Sequence, residues 1–389
     1  MQEHLTQPFI IQSHQLYART FSRPRTLRSN TKSKTTCDKE AFIARGHNKK
    51  RIVFYNAPDW WSTGIGFRNC ECSYCEIEYS QNISHADLVL FDGVRLSSRH
   101  PPQRPRGQIW VVLGNEAPIY YTGLLHTPPW RGVFNWTSTH RVDSDIFHPY
   151  SLLLEKTGSL RTRTYYESIA KPKKKLAIAL ISHCDTVSLR EEYIKELRRH
   201  MKVDVYGHCG IKTACPKGNG TCVRELIQSY TFLLAFENSL CEDYVTEKFF
   251  QTFQDDFTVI PVVRGGTHYH RYFPNDTFID AADFNSPKDL ATYLIRISKD
   301  RKKVADMLQA KSRYRLKGLS RLCHLCYLLH KFNISSSGID PSVPAAERAS
   351  LTKTYPDVFL WLLKDKCFLP NDFTGAPRTI SNMKKFKYV

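Results

Sequence analysis

Long apolar runs are missing from this sequence of 389 residues. A membrane-spanning helix needs about 18 to 20 consecutive apolar residues, whereas the longest apolar runs here, 176–181 and 232–236, have the length of β-strands. We therefore expect the chain as given to be soluble or peripheral. The first 50 residues also lack the apolar core of a signal peptide, and no internal repeat is visible.

Acidic residues are scarce relative to basic ones: 56 Lys and Arg stand against 37 Asp and Glu, and the formal net charge is +19. Residues 1–51 alone contain eleven basic and three acidic side chains. Such an excess suits nucleic acid, an anionic membrane surface or an anionic small molecule. We favour a solvated basic tail together with a cleft for an anionic small molecule. The Arg-, Ser- and Thr-rich composition of residues 1–33 leaves a mitochondrial transit peptide as an alternative.

Cysteine is abundant, with twelve residues that fall partly into clusters. Clusters this close indicate either zinc ligands or a disulfide framework, and the spacing alone does not decide between them. Asn-x-Ser/Thr sequons favour disulfides, because glycosylation and disulfides belong to the same oxidising secretory compartment. The candidate glycosylation sites are Asn82, Asn135, Asn219, Asn275 and Asn333.

Strand and helix patterns alternate along the chain. Strands are predicted at 51–55, 86–91, 108–113, 176–182, 203–207, 230–236 and 258–263, with helices at 189–200 and from residue 247. Alternation of this kind is typical of βαβ units with parallel sheets. The sequence therefore predicts an α/β fold, and the run 171–175, rich in Lys and Pro, is a plausible linker between two sets of strands. The tail contains a helix-like segment at 355–363 that we expect to pack on the core.

One segment is more specific than the rest. The strand 230–236 leads into Glu237-Asn238-Ser239 and then Asp243 to Phe250, where Thr246 can cap a helix that begins at Glu247. Two further segments downstream, Ile260 to Gly265 and Ala282 to Leu290, belong to the same pattern. These segments resemble the donor-site signature of the α1,3/4-fucosyltransferases, glycosyltransferase family 10, and the chain as a whole is similar to the invertebrate α1,3-fucosyltransferases.

The resemblance implies the GT-B architecture, in which two Rossmann-like domains face a cleft. The expected domains are a basic, stem-like segment at 1–50, an acceptor-side domain at 51–170, a GDP-fucose-binding domain at 171–330 and a tail at 331–389. Members of the family typically have an N-terminal membrane anchor, and this chain shows none. Membrane association and a location in the Golgi lumen are therefore expectations from the family alone.

The implied reaction is inverting transfer of fucose from GDP-fucose to a GlcNAc residue of a glycan. Such a reaction needs a carboxylate to take the proton of the acceptor hydroxyl. Glu116 is our candidate base, because it follows the strand 108–113 at the edge where open α/β sheets bind ligands, and because the family's catalytic Glu matches this position. A surface Glu in a loop is the alternative.

The diphosphate needs cations or hydrogen-bond donors. Arg190 and Lys248 are the candidates, and Lys248 is the more informative because a cation is unusual in the first turn of a helix. An ion pair with a neighbouring Glu is the alternative for Arg190. The resemblance also implies that Glu247 binds the ribose and that Tyr244 shapes the nucleotide pocket. Glu237 and Asn238 end the strand beside the donor and complete the predicted donor set, with orientation of the loop as the alternative role for Glu237.

Asp143-Ser144-Asp145 has the form of a metal-binding D-x-D triplet. We favour a polar turn instead, and we expect no essential metal or other cofactor, although a divalent ion such as Mn²⁺ could stimulate transfer. His140 and Val142 depart from the family pattern on the acceptor side, and they bear on the choice of acceptor. The acceptor is expected to be an N-glycan core or a lactosamine-type antenna.

Two rival functions remain at this point. The first is a catalytically silent member of the same fold that binds glycans or GDP-sugars. The second is a basic nucleic-acid-binding protein with zinc knuckles, for which Cys323-His324-Leu325-Cys326 and His330 are the relevant residues. We expect GDP-fucose and a glycan as partners and no nucleic acid, because the second rival leaves the sequons and the donor signature unexplained.

Overall fold

The computed structural model describes residues 48–373, apart from 62–65, 68–69, 71, 159–160, 171–172, 174, 212–214, 216–218 and 256, together with residues 10, 11, 43 and 46. The described chain divides into two compact units. The N-terminal unit contains the described residues from 43 to Pro149 and also Leu319–Lys364. The C-terminal unit contains Tyr150–Gly318, the described residues 365–373, and the short strand Ile10–Ile11. The predicted stem at 1–50 lies almost entirely outside the described residues.

The N-terminal unit is built on a parallel sheet. Its strands follow one another in the order Cys75–Tyr79, Lys50–Phe54, Leu88–Asp92, Ile109–Leu113, Trp136–Thr139 and Ile146–Phe147. Every residue of Leu88–Asp92 and Ile109–Leu113 is buried, which explains their near-continuous apolar sequence, since a parallel sheet is covered on both faces. The three strands predicted in this part of the sequence are all present.

The two faces of this sheet are covered differently. The helix Arg321–Lys331 packs on one face through Leu322, Leu325 and Leu329, which recur at helical spacing. Phe91 and Trp110 on the other face belong to an aromatic cluster. The remaining short elements of the unit are the helices Ala345–Thr352 and Val358–Leu363 and the 3₁₀ helices Asp59–Trp61, Pro118–Tyr120, Gly123–His126 and Pro128–Trp130.

The C-terminal unit has a second parallel sheet. Its strands are ordered Val203–Tyr206, Lys175–Leu180, Tyr230–Phe236, Ile260–Arg264 and Ile279–Asp280. Smaller sheets join Ile10–Ile11, Leu152–Glu155 and Tyr314–Lys317, and join Leu240–Cys241 to Cys367–Phe368. The helices are Arg163–Ile169, Arg190–Leu197, Gly220–Gln228, Glu247–Phe250, Tyr269–Tyr272, Pro287–Ser298 and Arg301–Ser312, with 3₁₀ helices at Gln251–Phe253 and Ala281–Asp283. The two parallel sheets with helices confirm the predicted α/β class with two Rossmann-like domains, the kind from which the GT-B architecture is built.

The units differ from the predicted domain limits at three points, Tyr150, Leu319 and Asp365, the last of which divides the predicted tail. The chain enters the C-terminal unit at Tyr150, before residue 171, because Leu152–Glu155 already pairs with Tyr314–Lys317. It returns to the N-terminal unit at Leu319. The predicted helix in the tail is present as Val358–Leu363, and its Val358, Phe359, Leu362 and Leu363 are buried, so the tail does pack on the core. Among the described residues, none of the helices has the length and apolar character needed to cross a membrane.

Candidate functional site

Glu237 stands at the carboxyl end of the strand Tyr230–Phe236, in the middle of the second sheet, and its side chain is fully buried. Thr246 donates its backbone N–H to Glu237 Oε1 at 2.8 Å, and its hydroxyl lies 3.0 and 2.9 Å from the two carboxylate oxygens. Thr246 also caps the helix Glu247–Phe250, as predicted. The two ends of the loop 237–246 are therefore held together by hydrogen bonds to one buried carboxylate.

Lys248 joins the same group. Its Nζ donates to Thr246 Oγ1 and to Glu247 Oε1, both at 2.9 Å, and lies 3.6 Å from Glu237 Oε2. Burial by itself would lower the pKa of Lys248, but Glu237 and Glu247 outweigh it and raise that pKa above its ordinary value. Burial raises the pKa of Glu237, and the Lys248 ammonium opposes that rise. Lys248 is therefore a cation at neutral pH, and its side chain is 22% exposed.

Arg190 begins the helix Arg190–Leu197, and its side chain is only 3% exposed. The guanidinium donates to the carbonyl of Phe236 at 3.0 Å and to the carbonyl of His183 at 2.8 Å. It also pairs with Glu191 at 3.2 Å, which is one of the ion pairs considered as the alternative to phosphate binding. Arg190 thus braces the strand end beside Glu237, and its contact with a phosphate stays a prediction.

The other predicted donor residues surround this group in different ways. Asn238 is buried, and its Oδ1 has no hydrogen-bond partner among the described residues. Tyr244 is 1% exposed, with its ring edge-on to Tyr150 at a centroid distance of 6.4 Å. The Glu247 side chain is 60% exposed, and it is therefore open to a ligand. The structure brings Arg190, Glu237, Asn238, Tyr244, Glu247 and Lys248 to one edge of one sheet.

Glu116 belongs to the N-terminal unit, in the loop between the strand Ile109–Leu113 and the 3₁₀ helix Pro118–Tyr120. The residue is exposed, and in the described part of the chain its carboxylate takes part in no hydrogen bond or ion pair. It therefore lies at the carboxyl edge of the first sheet, the position expected for a base. Its role in proton transfer stays a prediction.

Arg321 holds Asn115, the residue before Glu116, by a hydrogen bond. This buried guanidinium donates through Nη2 to Asn115 Oδ1 and to His148 Nδ1, the latter at 2.9 Å. Because Arg321 can only donate, His148 must accept at Nδ1 and be neutral, and burial together with the charge of Arg321 lowers the pKa of His148 well below its ordinary value. Arg321 and His148 were not predicted as site residues.

Tyr121 lies in the same unit and is buried. Burial raises the pKa of its hydroxyl, as do the charges of Asp92 and Glu116, whereas Arg321 opposes them. A Cβ at Gly114 would lie 2.4 Å from the Tyr121 hydroxyl oxygen, so a side chain at position 114 would displace the buried Tyr121 ring. The Glu116 side chain is therefore exposed, whereas the backbone just before it is closely packed.

The sequence matches known families along most of its length. The family described as "Glycosyltransferase family 10 (fucosyltransferase) C-term" matches residues 170–340, and "Fucosyltransferase, N-terminal" matches residues 47–151. Alpha-(1,3)-fucosyltransferase C of Drosophila melanogaster is 33% identical over 317 residues, which cover 75% of this chain and 70% of that relative. This chain belongs to glycosyltransferase family 10, the fucosyltransferases. The predicted resemblance is confirmed.

Other relatives of this family-10 chain are similar over a shorter stretch. The 4-galactosyl-N-acetylglucosaminide 3-alpha-L-fucosyltransferase FUT5 of Gorilla gorilla gorilla is 36% identical over 254 residues, 64% of this chain and 64% of the relative. The chain thus spans 64 to 70% of the length of these two relatives. The solved "Crystal Structure of alpha1,3-Fucosyltransferase with GDP-fucose" aligns with a TM-score of 0.49 and 16% identity, over 73% of this chain and 90% of that one.

The carboxylates of the D-x-D triplet accept hydrogen bonds from other residues of this family-10 chain. Asp143 accepts from the Arg141 guanidinium at 2.8 Å. Asp145 accepts from the Thr137 N–H at 2.9 Å and from the Tyr355 hydroxyl at 2.7 Å. Ser144 N–H closes a turn on the Arg141 carbonyl at 3.1 Å. The two carboxylates have protein partners, as the predicted polar turn requires.

The cysteines form disulfides, and every cysteine in the described part of the chain is bonded in this way. The pairs given by the structure are Cys70–Cys323, Cys75–Cys326, Cys184–Cys209, Cys215–Cys222 and Cys241–Cys367. His330 lies within reach of Cys75 and Cys326, but sulfur atoms joined in a disulfide are not the thiolates that zinc requires. The zinc-knuckle alternative therefore loses its ligands.

The sequons differ in accessibility. Asn82, Asn219 and Asn275 are exposed. Asn333 is half-buried, and its Oδ1 accepts from Lys50 at 2.8 Å. Asn135 is 3% exposed, and its Nδ2, the atom that would carry a glycan, donates to the Thr352 carbonyl at 2.9 Å. In the folded chain the Asn135 side chain is thus engaged in a hydrogen bond, and glycosylation at its sequon stays a prediction.

Proposed function

We propose that this chain is an inverting α1,3-fucosyltransferase that transfers fucose from GDP-fucose to a GlcNAc residue of a glycan. The observation that carries the proposal is the hydrogen-bonded group of Glu237, Thr246 and Lys248, which gathers the family's donor signature at the carboxyl edge of one parallel sheet. Ligands bind at this edge in open α/β sheets.

We assign each of these residues one part of the chemistry. Lys248 is the cation that would hold the diphosphate as charge develops on it, and the exposed carboxylate of Glu247 would accept from the ribose hydroxyls. Glu116 would take the proton of the acceptor hydroxyl as the new bond forms. Its exposure supports this role, because a general base must meet a ligand that arrives from solvent. With these groups no essential metal is needed, and a divalent ion would at most stimulate transfer.

The compartment is also a proposal. The disulfides Cys70–Cys323 and Cys75–Cys326 join residues more than 250 positions apart, and such bonds persist in an oxidising environment. This supports a secretory compartment, and we propose the lumen of the Golgi apparatus with membrane association as in the family.

Transfer of labelled fucose from GDP-fucose tests the proposal. The acceptors are a trimmed N-glycan core and a lactosamine oligosaccharide, each with and without EDTA, and NMR of the product gives the linkage and the anomeric configuration. We expect α1,3 transfer to one acceptor that resists EDTA. Glu116→Gln is expected to bind GDP-fucose normally and to lose roughly two orders of magnitude in kcat.

Glu78→Gln is the matched control, because this half-exposed carboxylate belongs to the same unit and pairs only with His85 in the described structure. It is expected to keep wild-type transfer. Binding of GDP-fucose without transfer to any glycan would favour a silent binder, and the absence of GDP-fucose binding would refute the donor site. Near wild-type transfer by Glu116→Gln would place the base elsewhere.

A further inference from the structure

The segment Asp365 to Phe373 lies beyond the family match, which ends at residue 340, and it belongs to the C-terminal unit. Its strand Cys367–Phe368 pairs antiparallel with Leu240–Cys241. The disulfide Cys241–Cys367 joins the same two strands, and the N–H of Glu242 donates to the carbonyl of Lys366 at 2.7 Å. The segment is therefore attached to the loop that carries the donor signature.

Asp372, near the end of this segment, receives both arms of a buried arginine. Arg264 Nε lies 2.6 Å from Asp372 Oδ2, and Arg264 Nη2 lies 2.7 Å from Asp372 Oδ1. The Arg264 side chain is 3% exposed and the Asp372 side chain 32%. A two-armed contact of this kind fixes the orientation of the guanidinium as well as neutralising it. Arg264 also lies over the Tyr193 ring at 4.6 Å.

The remaining contacts of Arg264 reach the donor loops. Its Nη1 donates to the carbonyl of Ser188 at 2.8 Å. Ser188 in turn donates its hydroxyl to the carbonyl of Glu237 at 2.7 Å and its N–H to the carbonyl of Asn238 at 3.2 Å. The carbonyl of Arg264 accepts the N–H of Glu237 at 2.9 Å. A continuous chain of hydrogen bonds thus runs from Asp372 to Glu237 and Asn238.

We propose that Asp372 is a positioning residue of the donor site, which acts through Arg264 on Ser188 and on the Glu237–Asn238 loop. This inference rests on the proposed function. Without the carboxylate, the buried guanidinium has to find other acceptors, and the Ser188 carbonyl that it holds is displaced. The binding of the nucleotide then weakens. Asp372 would thus affect the donor site from a segment that lies outside the family match.

The test uses the full chain and measures the Kd of GDP by calorimetry and the kcat and KM for GDP-fucose. Asp372→Asn is expected to raise the Kd of GDP and the KM for GDP-fucose about tenfold, the scale of one charge-assisted hydrogen bond, and to change kcat much less. Asp372→Glu keeps the charge and is expected to restore part of the affinity. The matched control is Asp306→Asn on the helix Arg301–Ser312, where Asp306 is half-exposed and pairs with Arg163.

All titrations are done below the melting temperature of each variant, so that a loss of stability alone leaves the Kd unchanged. A GDP affinity of Asp372→Asn within about twofold of wild type, or an equal loss in Asp306→Asn, would overturn the inference. If Asp372→Asn does not fold, Asp372→Ser, which also removes the carboxylate, carries the comparison, and an unchanged Kd there has the same meaning. A wild-type chain that does not bind GDP would overturn the proposed donor site itself.

Discussion

The Thr246 N–H and hydroxyl both donate to the carboxylate of Glu237, at distances between 2.8 and 3.0 Å. Glu237 is fully buried, so these hydrogen bonds and Lys248 at 3.6 Å are what offset the removal of its charge from water. The pair joins the end of the central strand to the cap of the next helix. The stability of the donor loop therefore depends on this carboxylate.

Glu237→Gln is expected to lower the free energy of unfolding by about 2 to 3 kcal/mol, because the variant leaves Lys248 without its buried counter-charge and offers one acceptor fewer. Urea unfolding at neutral pH measures the change. Glu247→Gln is the control, since its side chain is 60% exposed and surface substitutions usually change stability by less than about 0.5 kcal/mol. Equal effects of the two substitutions would contradict this account of Glu237.

Lys248→Ala is expected to weaken the binding of GDP and GDP-fucose at least about tenfold, since a hydrogen bond to a charged group contributes about 1.5 to 3 kcal/mol. Calorimetric titration with GDP measures the affinity. Lys195→Ala is the control, because Lys195 is 69% exposed and pairs only with Glu192 in the described structure. Unchanged affinity in Lys248→Ala would remove the phosphate role from this residue.

Arg321→Met is expected to lower kcat about tenfold or more while the Kd of GDP stays at the wild-type value. The reason is that Arg321 holds Asn115, next to Glu116, whereas the predicted nucleotide-binding residues all belong to the other unit. Single-turnover transfer and GDP titration measure the two quantities. Lys331→Met, at the exposed end of the same helix, serves as the control. A parallel loss of GDP affinity would show a general structural effect instead.

Local features of the fold were predictable from the sequence. The strand Ile109–Leu113 was predicted because five consecutive apolar residues suit a sheet that is covered on both faces. The cap at Thr246 was predicted because its signal lies within three residues of the helix start. Residues such as Glu237 and Lys248 could be found together because they are close in the sequence, and the fold brings them closer still.

Contacts between distant parts of the chain were not predictable. Arg321 reaches Asn115 across 206 positions, and Asp372 reaches Arg264 across 108. No local pattern distinguishes these charged residues from solvated ones. The pairing of Cys70 with Cys323 was open for the same reason, since connectivity depends on the fold. Asn135 carries a valid sequon, and its burial with a hydrogen bond to the carbonyl of Thr352 could not be read from that sequon.

His140 is expected to make the stability of the chain depend on acid. This side chain is 1% exposed, and burial, followed by the charge of Arg141, lowers its pKa from 6.5 to about 3. Between pH 6.5 and pH 3 the unfolded chain binds a proton that the native chain excludes, so the free energy of unfolding falls as the pH falls through this window.

Each pH unit inside that window corresponds to about 1.4 kcal/mol. From pH 7 to pH 5, His140 should therefore remove about 2 kcal/mol from the free energy of unfolding, and His140→Gln should not show this loss. Urea unfolding at the two pH values measures the difference between wild type and variant, from which other titrating groups cancel because both chains contain them. The exposed His100→Gln is the control. We expect the difference in the free energy of unfolding between wild type and His140→Gln to narrow by about 2 kcal/mol on going from pH 7 to pH 5. A constant difference would mean that His140 takes up protons equally in the native and unfolded chains, and that its pKa is not lowered.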